Sequence, residues 1–173
     1  VSALSFQHLF NKRKTNKINQ ILVALPILKK DSDQILEIFK NLMNIKFLSK
    51  FKLIIRPHPT TNIQEIKKII INLDIKNSQI DVNKSFYDSL KKSKFFIGGM
   101  SSTCLESVIL NIPTIIFKSN DYLRSSCIPN IINRKHYLYS KDYNEIIKFM
   151  KKNKKNSLIL SNKIRNSCFK IRS

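Results

Sequence analysis

A chain of 173 residues, 42% of them hydrophobic, can bury one ordinary core but not two full-sized ones. Its apolar runs fall far short of the ~20 residues that span a bilayer, and residues 2–20 form neither a signal-peptide pattern nor a clean amphipathic anchor, so no spanning segment is expected. Lys and Arg number 32 against 11 acidic residues, a formal charge of +21, which raises nucleic acid or an anionic membrane face as partners.

The basic residues are spread through every segment among abundant Ile and Asn, however. That scatter fits a compositional drift and a solvated surface better than a nucleic-acid site, so no specific nucleic acid is expected. Such a charge would still gather anionic substrates or draw the protein to acidic headgroups, with strong salt dependence. Cys104, Cys127 and Cys168 are far apart in sequence and form no CxxC pair, so neither a disulfide framework nor a zinc site is expected. A reducing cytoplasm, with peripheral contact at the inner membrane face, fits best. Cys104 reads as a small buried hydrophobe on a helix. Residues 1–19 read as a linker or the end of a preceding domain, and residues 20–173 as one domain.

Along the chain, Ile21 to Leu25 is a continuous apolar run ended by Pro26, the pattern of a strand covered on both faces. Asp31 and Ser32 offer N-cap oxygens, and Ile35, Leu36, Phe39, Leu42 and Met43 recur at helical spacing to about Leu48. Phe51 to Ile55 repeats the strand pattern and stops at Arg56-Pro57-His58-Pro59, where two prolines forbid ladder pairing and helix continuation. Thr61 or Asn62 caps a helix through Ile63, Ile66, Ile69 and Ile70. Gln79 to Val82 is a short strand, Phe86 to Lys92 a helix and Lys94 to Ile97 a strand. After two glycines, a helix runs from Ser102 to Leu110. Asn111 occupies the place of a left-handed cap, and Pro113 prevents continuation. Pro113 to Phe117 is the next strand, 120–135 shows no regular pattern, and Tyr137 to Tyr139 is a last short strand. Asp142 to Lys152 and Ser157 to Ile171 read as helices. Strand and helix alternate, which predicts an α/β fold, a Rossmann-like doubly wound parallel sheet.

Glycine occurs only twice, as the adjacent pair Gly98-Gly99 at the end of a predicted strand. Lacking a Cβ, the pair can take positive φ and let a ligand approach the backbone. Ser101, Ser102 and Thr103 then open a helix, bringing unpaired N–H groups, the positive dipole end and three hydroxyls to one spot suited to a phosphate. The plainer alternative is that Ser101 merely caps and the glycines merely turn. Position in the fold favours the anion site, because ligands collect beyond the carboxyl ends of strands in such sheets. His58 lies at another such end, aimed by two prolines and accompanied by Arg56. It can stabilise charge on a departing phosphate as imidazolium or as a neutral N–H donor. Glu106, one turn into the helix after Ser102, is placed to reach ribose hydroxyls, with a solvated carboxylate as the competing reading. Asp88, Asp121 and Tyr122 are weaker candidates, and His8 and His136 read as surface residues. No GxGxxG, Walker lysine loop, HExxH or Gly-x-Ser-x-Gly elbow is present, which disfavours the corresponding enzyme classes.

Taken together, Ile54-Ile55-Arg56-Pro57-His58-Pro59, Phe86 to Leu90, Gly98 to Thr103 with Leu105-Glu106, and Ile112 to Ile116 resemble the C-terminal, donor-binding half of GT-B glycosyltransferases. A His-Pro motif followed by Ser-Ser is most similar to bacterial sialyltransferases, polysialyltransferases and capsule Kdo transferases, which use CMP-activated sugars. The resemblance implies that His58 stabilises the leaving group and that Ser101, Ser102 and Thr103 bind the phosphate. It also implies a nucleotide-sugar donor, a glycan or lipid-linked acceptor, and a role in surface polysaccharide or lipopolysaccharide synthesis. With these donors and basic surroundings, neither a metal nor a separate cofactor is expected. These families usually carry Gly before Ile-Pro, where this chain has Asn111. Their acceptor half, which supplies the general base in inverting members, has no room in 173 residues, so turnover by this chain alone is not expected. The alternatives are a UDP-sugar 2-epimerase-like enzyme, a CDP-glycerol-type polymerase and, further off, a basic nucleic-acid-binding protein.

Overall fold

The computed structural model describes residues 17–82, 85–117 and 126–154. The predicted helix over Ser157 to Ile171, residues 1–16 of the linker assigned to 1–19, and His8, Asp121, Tyr122 and Cys168 lie outside these residues. Six strands pair in parallel: β1 (Gln20–Ala24), β2 (Lys52–Arg56), β3 (Ser78–Ile80), β4 (Phe95–Gly99), β5 (Thr114–Phe117) and β6 (Tyr137–Tyr139), in the order β3-β2-β1-β4-β5-β6. Five helices lie between and after them: α1 (Lys29–Leu42), α2 (Ile63–Asn72), α3 (Phe86–Lys92), α4 (Ser102–Ile109) and α5 (Tyr143–Asn153). The doubly wound reading is thereby met, with the order reversing between β1 and β4.

The period of two along each strand separates the core into two layers. Ile21, Val23, Leu53, Ile55, Phe95, Ile97, Ile115 and Phe117 face one side, where Ile35, Leu36, Phe39 and Leu42 of α1 cover them. Leu22, Ile54, Phe96 and Ile116 face the other side, against Leu90 of α3 and Cys104 and Val108 of α4. Strands covered on both faces read as continuous apolar runs, which is why β1, β2, β4 and β5 are legible. Gln20, only 6% exposed, donates to Ser89 O (3.0 Å) and Ser93 Oγ (2.8 Å), joining the start of β1 to α3.

Several local expectations change. α1 begins at Lys29 behind an extended Leu28, not at Asp31 or Ser32, because the Ser32 hydroxyl donates to Pro26 O (2.8 Å) from within the first turn. It ends at Leu42, and the apolar spacing continues through irregular turns in which Ile45 N bonds Leu42 O and Leu48 N bonds Ile45 O, with Leu48 fully buried. β3 stops at Ile80, and Val82 is exposed. Arg134–His136 forms a 3-10 turn at the edge of the stretch expected to be irregular, and it carries His136 inward to 3% exposure. His136 is therefore not a surface residue. Burial lowers its pKa, aided by Lys135, and its Nδ1 has no partner among the described residues.

The caps of α2 and α4 follow the expected chemistry. Asn62 Oδ1 accepts from Gln64 N at 2.9 Å. At the end of α4, Asn111 takes φ 58°, its N–H bonds Val108 O and the next N–H, from Ile112, bonds Ser107 O, the paired closure of a Schellman cap. Asp74 does the same after α2, with φ 48° and bonds from Asp74 N to Ile71 O and Ile75 N to Ile70 O. A left-handed residue costs roughly 1–2 kcal/mol when it carries an ordinary side chain. Asn111→Val is thus expected to lower unfolding free energy by about 1–2 kcal/mol in urea titrations, while Asn111→Gly matches or exceeds the parent; equal stability of all three would contradict the cap.

Candidate functional site

The carboxyl ends of the central strands form one row. Arg56 of β2 pairs with Ala24 of β1, Ala24 with Gly98 of β4, Gly98 with Ile116 of β5, and Ile116 with Tyr139 of β6. Paired residues of parallel strands share a face, so all five lie on the α3/α4 side, with the Arg56 and Gly98 backbones about 10 Å apart, two strand spacings. Leu25 N–H donates to Arg56 O at 2.9 Å and ties the exits of β1 and β2 together.

Neither glycine has positive φ, which corrects the conformational reason expected for them. The need is steric. A Cβ on Gly99 would stand 3.1 Å from the Pro26 Cβ, and one on Gly98 would stand 3.2 Å from the Phe96 ring. The chain leaving β4 passes close to the Pro26 ring that follows β1, where the strand order reverses, so a larger residue at Gly99 requires that ring to give by a few tenths of an ångström.

Ser101 follows in extended conformation, φ −146° and ψ 168°, as the N-cap of α4. Its carbonyl accepts the Cys104 N–H at 3.1 Å. Its hydroxyl makes no capping bond; it lies 2.6 Å from Thr103 Oγ1 and 3.4 Å from Gly99 O. The plainer reading, in which Ser101 simply caps, is therefore not what the side chain does. Ser101 and Ser102 are exposed and Thr103 half-buried, so hydroxyls and the positive end of α4 meet solvent together.

His58 is half-buried beyond the buried Pro57. Its Nδ1 accepts the Thr60 N–H at 3.3 Å and lies 2.8 Å from Thr60 Oγ1. A ring nitrogen that accepts an amide proton carries none of its own, so the neutral ring bears its proton on Nε2. Thr60, whose role the sequence reading did not assign, orients this ring from two residues away. Arg56 sits with Nη1 3.7 Å from Asp81 Oδ2 and its guanidinium 5.9 Å from the centre of the Phe86 ring. Asp81, 6% exposed, also accepts from Ser89 Oγ at 2.5 Å. Arg56 is thus held at the row by an ion pair, and Asp81 is a positioning residue that a weak strand pattern concealed. Asp88 pairs with Lys91 at 3.8 Å on the exposed side of α3.

Glu106 is 8% exposed and accepts a hydrogen bond from the Tyr87 hydroxyl, so it is not a solvated carboxylate. Burial raises its pKa, and the Tyr87 bond partly opposes that rise. Burial and the neighbouring carboxylate raise the Tyr87 hydroxyl well above its usual value. Cys104, fully buried as expected, donates to Gly99 O at 3.0 Å. The sequence distance between Cys104 and Cys127 nevertheless misleads, because both pack in the core layer on the α3/α4 side. Among the described residues, no three His, Cys, Asp or Glu side chains gather where a metal ion could sit, and no helix is long and apolar enough to cross a membrane.

A six-stranded parallel sheet in the order 3-2-1-4-5-6 is a Rossmann-like architecture, and solved glycosyltransferase domains share it. The catalytic domain of cholesterol-α-glucosyltransferase from Helicobacter pylori aligns at 13% identity with a TM-score of 0.54, over 87% of this chain and 93% of that one. The C-terminal domain of the group 1 glycosyltransferase LpcC from Francisella tularensis aligns at 12% and 0.55, over 95% and 90%. A Listeria monocytogenes protein assigned as a UDP-N-acetylglucosamine 2-epimerase aligns at 14% and 0.58, over 87% of this chain but only 39% of its own length. These likenesses establish the fold. A comparison with curated proteins finds no match in sequence. Residues 6–127 match the model of the LIC12162 family of transferases, and the chain belongs to that family.

Glu106 supplies a test of the site's electrostatics. A carboxyl whose folded-state pKa exceeds its unfolded one favours folding below the unfolded value and withdraws that contribution as pH rises through the folded value. Glu106→Gln keeps an acceptor for Tyr87 without the charge. The variant is therefore expected to gain urea midpoint relative to the parent at pH 7 but not at pH 4; an unchanged difference between the two pH values would show that Glu106 is not desolvated.

Proposed function

We propose that this domain binds the nucleotide-activated sugar of a glycosyltransferase, with a CMP-sugar as the favoured donor, for synthesis of a surface polysaccharide or lipopolysaccharide. The observation that carries the reading is the pairing of an oriented His58 with the uncapped start of α4, on strand ends flanking the β1/β4 reversal. Membership of a transferase family and the GT-B fold support it.

In this reading the nucleotide phosphate lies over Gly98-Gly99 at the N-terminus of α4, held by backbone N–H groups and the hydroxyls of Ser101, Ser102 and Thr103. His58 Nε2–H, or the imidazolium, donates to the phosphate oxygen as the sugar's anomeric C–O bond breaks. Arg56 adds positive potential at the row, and Glu106 with Tyr87 borders the nucleoside. An acceptor hydroxyl attacks the anomeric carbon, and its proton passes to a base in an acceptor domain of the two-domain architecture. The charge of +21 would hold the protein near anionic substrates and, peripherally, near acidic headgroups at the cytoplasmic membrane face.

The test is a titration of the chain with CMP, CDP, UDP and a random oligonucleotide at physiological salt. CMP is expected to bind best. His58→Ala is expected to weaken it roughly 10- to 100-fold, the worth of a hydrogen bond to a charged group. Preference for UDP would favour the epimerase-like alternative. Salt-sensitive oligonucleotide binding untouched by the mutation would overturn the proposal.

A further inference from the structure

At the rim opposite the candidate site, where the strands begin, the fold gathers charges that the sequence spreads out. All six strands run the same way, so every strand starts, and every connecting helix ends, at this amino edge. Asp31, Glu65, Asp88 and Glu145 lie in the first turns of α1, α2, α3 and α5, toward the carboxyl edge. Lys40, Lys91 with Lys92, and Lys151 with Lys152 lie in the last turns of α1, α3 and α5, toward the amino edge. The helix dipole favours that placement, and the shared direction of the helices sums it over the domain. The segments entering the strands continue it: Lys50 precedes β2 and Lys52 opens it, Lys76 precedes β3, Lys94 precedes β4, and Arg134 with Lys135 precede β6. Among the described residues, Asp74 is the one acidic side chain at this edge, paired with Lys76 at 3.7 Å.

Backbone bonds make the rim a fixed surface. Ile18 N donates to Lys92 O (2.9 Å), Lys52 N to Asn19 O (2.8 Å) and Lys94 N to Gln20 O (2.9 Å), which ties α3, β1, β2 and β4 together where they meet. Lys94 Nζ donates to Asn19 Oδ1 at 2.7 Å. Lys52 pairs with Gln20 in register and Lys94 stands on its other side, so these two backbones are about 10 Å apart, two strand spacings. Two isoleucines are exposed at the same rim, Ile18 at 50% just before β1 and Ile71 at 75% in the last turn of α2.

We infer that the amino edge is the face with which this domain lies on a bilayer of anionic headgroups, leaving the carboxyl edge and His58 turned toward solvent. The side-chain chemistry favours lipid over nucleic acid. Phosphates at fixed positions are read by the planar fork of Arg. Arg134 is the one arginine of this rim among the described residues, and its guanidinium already lies 5.2 and 5.4 Å from the ring centres of Tyr137 and Tyr139. Lysine ammoniums on flexible stems suit mobile headgroups. Exposed isoleucines among them gain by entering the interfacial layer of a bilayer, a gain that a polyanion in water does not offer. The inference deepens the peripheral attachment proposed above and rests on that reading only in calling the far edge the nucleotide site. Along the five-residue β1 the two edges stand ~13 Å apart, beyond the ~8 Å screening length of physiological salt, so a nucleotide at one edge does not compete with headgroups at the other.

The experiment sediments the full chain with vesicles of phosphatidylcholine alone, or of equal parts phosphatidylcholine and phosphatidylglycerol, at physiological salt with and without CMP. Binding to the anionic vesicles alone, unchanged by CMP, is the expected result. Lys50→Gln/Lys52→Gln removes two charges from the amino edge and is expected to lower partition roughly 30-fold, whereas Lys29→Gln/Lys30→Gln removes two from the carboxyl side and changes it less than about twofold. Ile71→Ser, at an exposed position, is expected to lower partition several-fold at unchanged net charge. Equal losses in the two lysine variants, or none in Lys50→Gln/Lys52→Gln, overturn the face. A random oligonucleotide that strips the chain from vesicles, and whose own binding falls in Lys50→Gln/Lys52→Gln, assigns the face to nucleic acid and overturns the lipid. CMP binding without vesicle binding refutes the face alone, and vesicle binding without CMP binding refutes the nucleotide reading and leaves the face standing.

Discussion

Where β4 leaves the sheet, its backbone runs so close to Pro26 that a Cβ at Gly99 would meet the proline ring at 3.1 Å. The rest of the site follows from this crossing. Because the strand order reverses between β1 and β4, the connections on either side of the crossing lead away to opposite faces, and a crevice opens between them. The start of α4 is brought to the lip of that crevice by a two-residue stretch that cannot stand off from its neighbour. Leu25, bonded to Arg56 O, transmits the same position to β2 and hence to the rigid Pro57-His58-Pro59 loop. The donors at the edge are therefore located by strand ends rather than by mobile loops.

Three polar side chains at the edge are also held by a second residue. Thr60 fixes the His58 ring, Asp81 with Ser89 behind it holds Arg56, and Tyr87 holds Glu106. On the proposed reading, such arrangements would reduce the reorganisation needed when an anion arrives, since the donors would already face the place where charge develops.

Much of this could be read from the sequence, for identifiable reasons. The four central strands are apolar on both faces and end at Pro26, Pro57 and the glycine pair, so their limits are written in residues that cannot continue them. The spot at Gly98 to Thr103 and the His58 loop followed from the same punctuation. The partners were harder. Asp81 sits at the end of a strand too short to show a period, and Tyr87 reaches Glu106 across two helices. Cys104 and Cys127 are brought into one core layer only by tertiary packing, and nothing in their spacing announces it. His136 was misplaced because a 3-10 turn buries it without any apolar repeat. Ser32 offered a cap oxygen but bonded Pro26 O from inside the helix, an instance of a local preference overruled by the path of the preceding chain.

The left-handed turns of the described residues are made by Asp74, Asn77 and Asn111, at φ 48°, 53° and 58°, while both glycines adopt ordinary backbone angles. Asn and Asp tolerate that conformation better than other side-chain-bearing residues. A composition drifting toward Asn and Lys can thus displace glycine from turns at modest cost in folding free energy. At the crossing the constraint differs, since every other amino acid adds at least one carbon that would crowd the Pro26 or Phe96 ring. In a chain this poor in glycine, the residue ceases to signal flexibility and becomes a record of crowding, marking where a neighbouring ring lies within 3.2 Å of the place a Cβ would occupy.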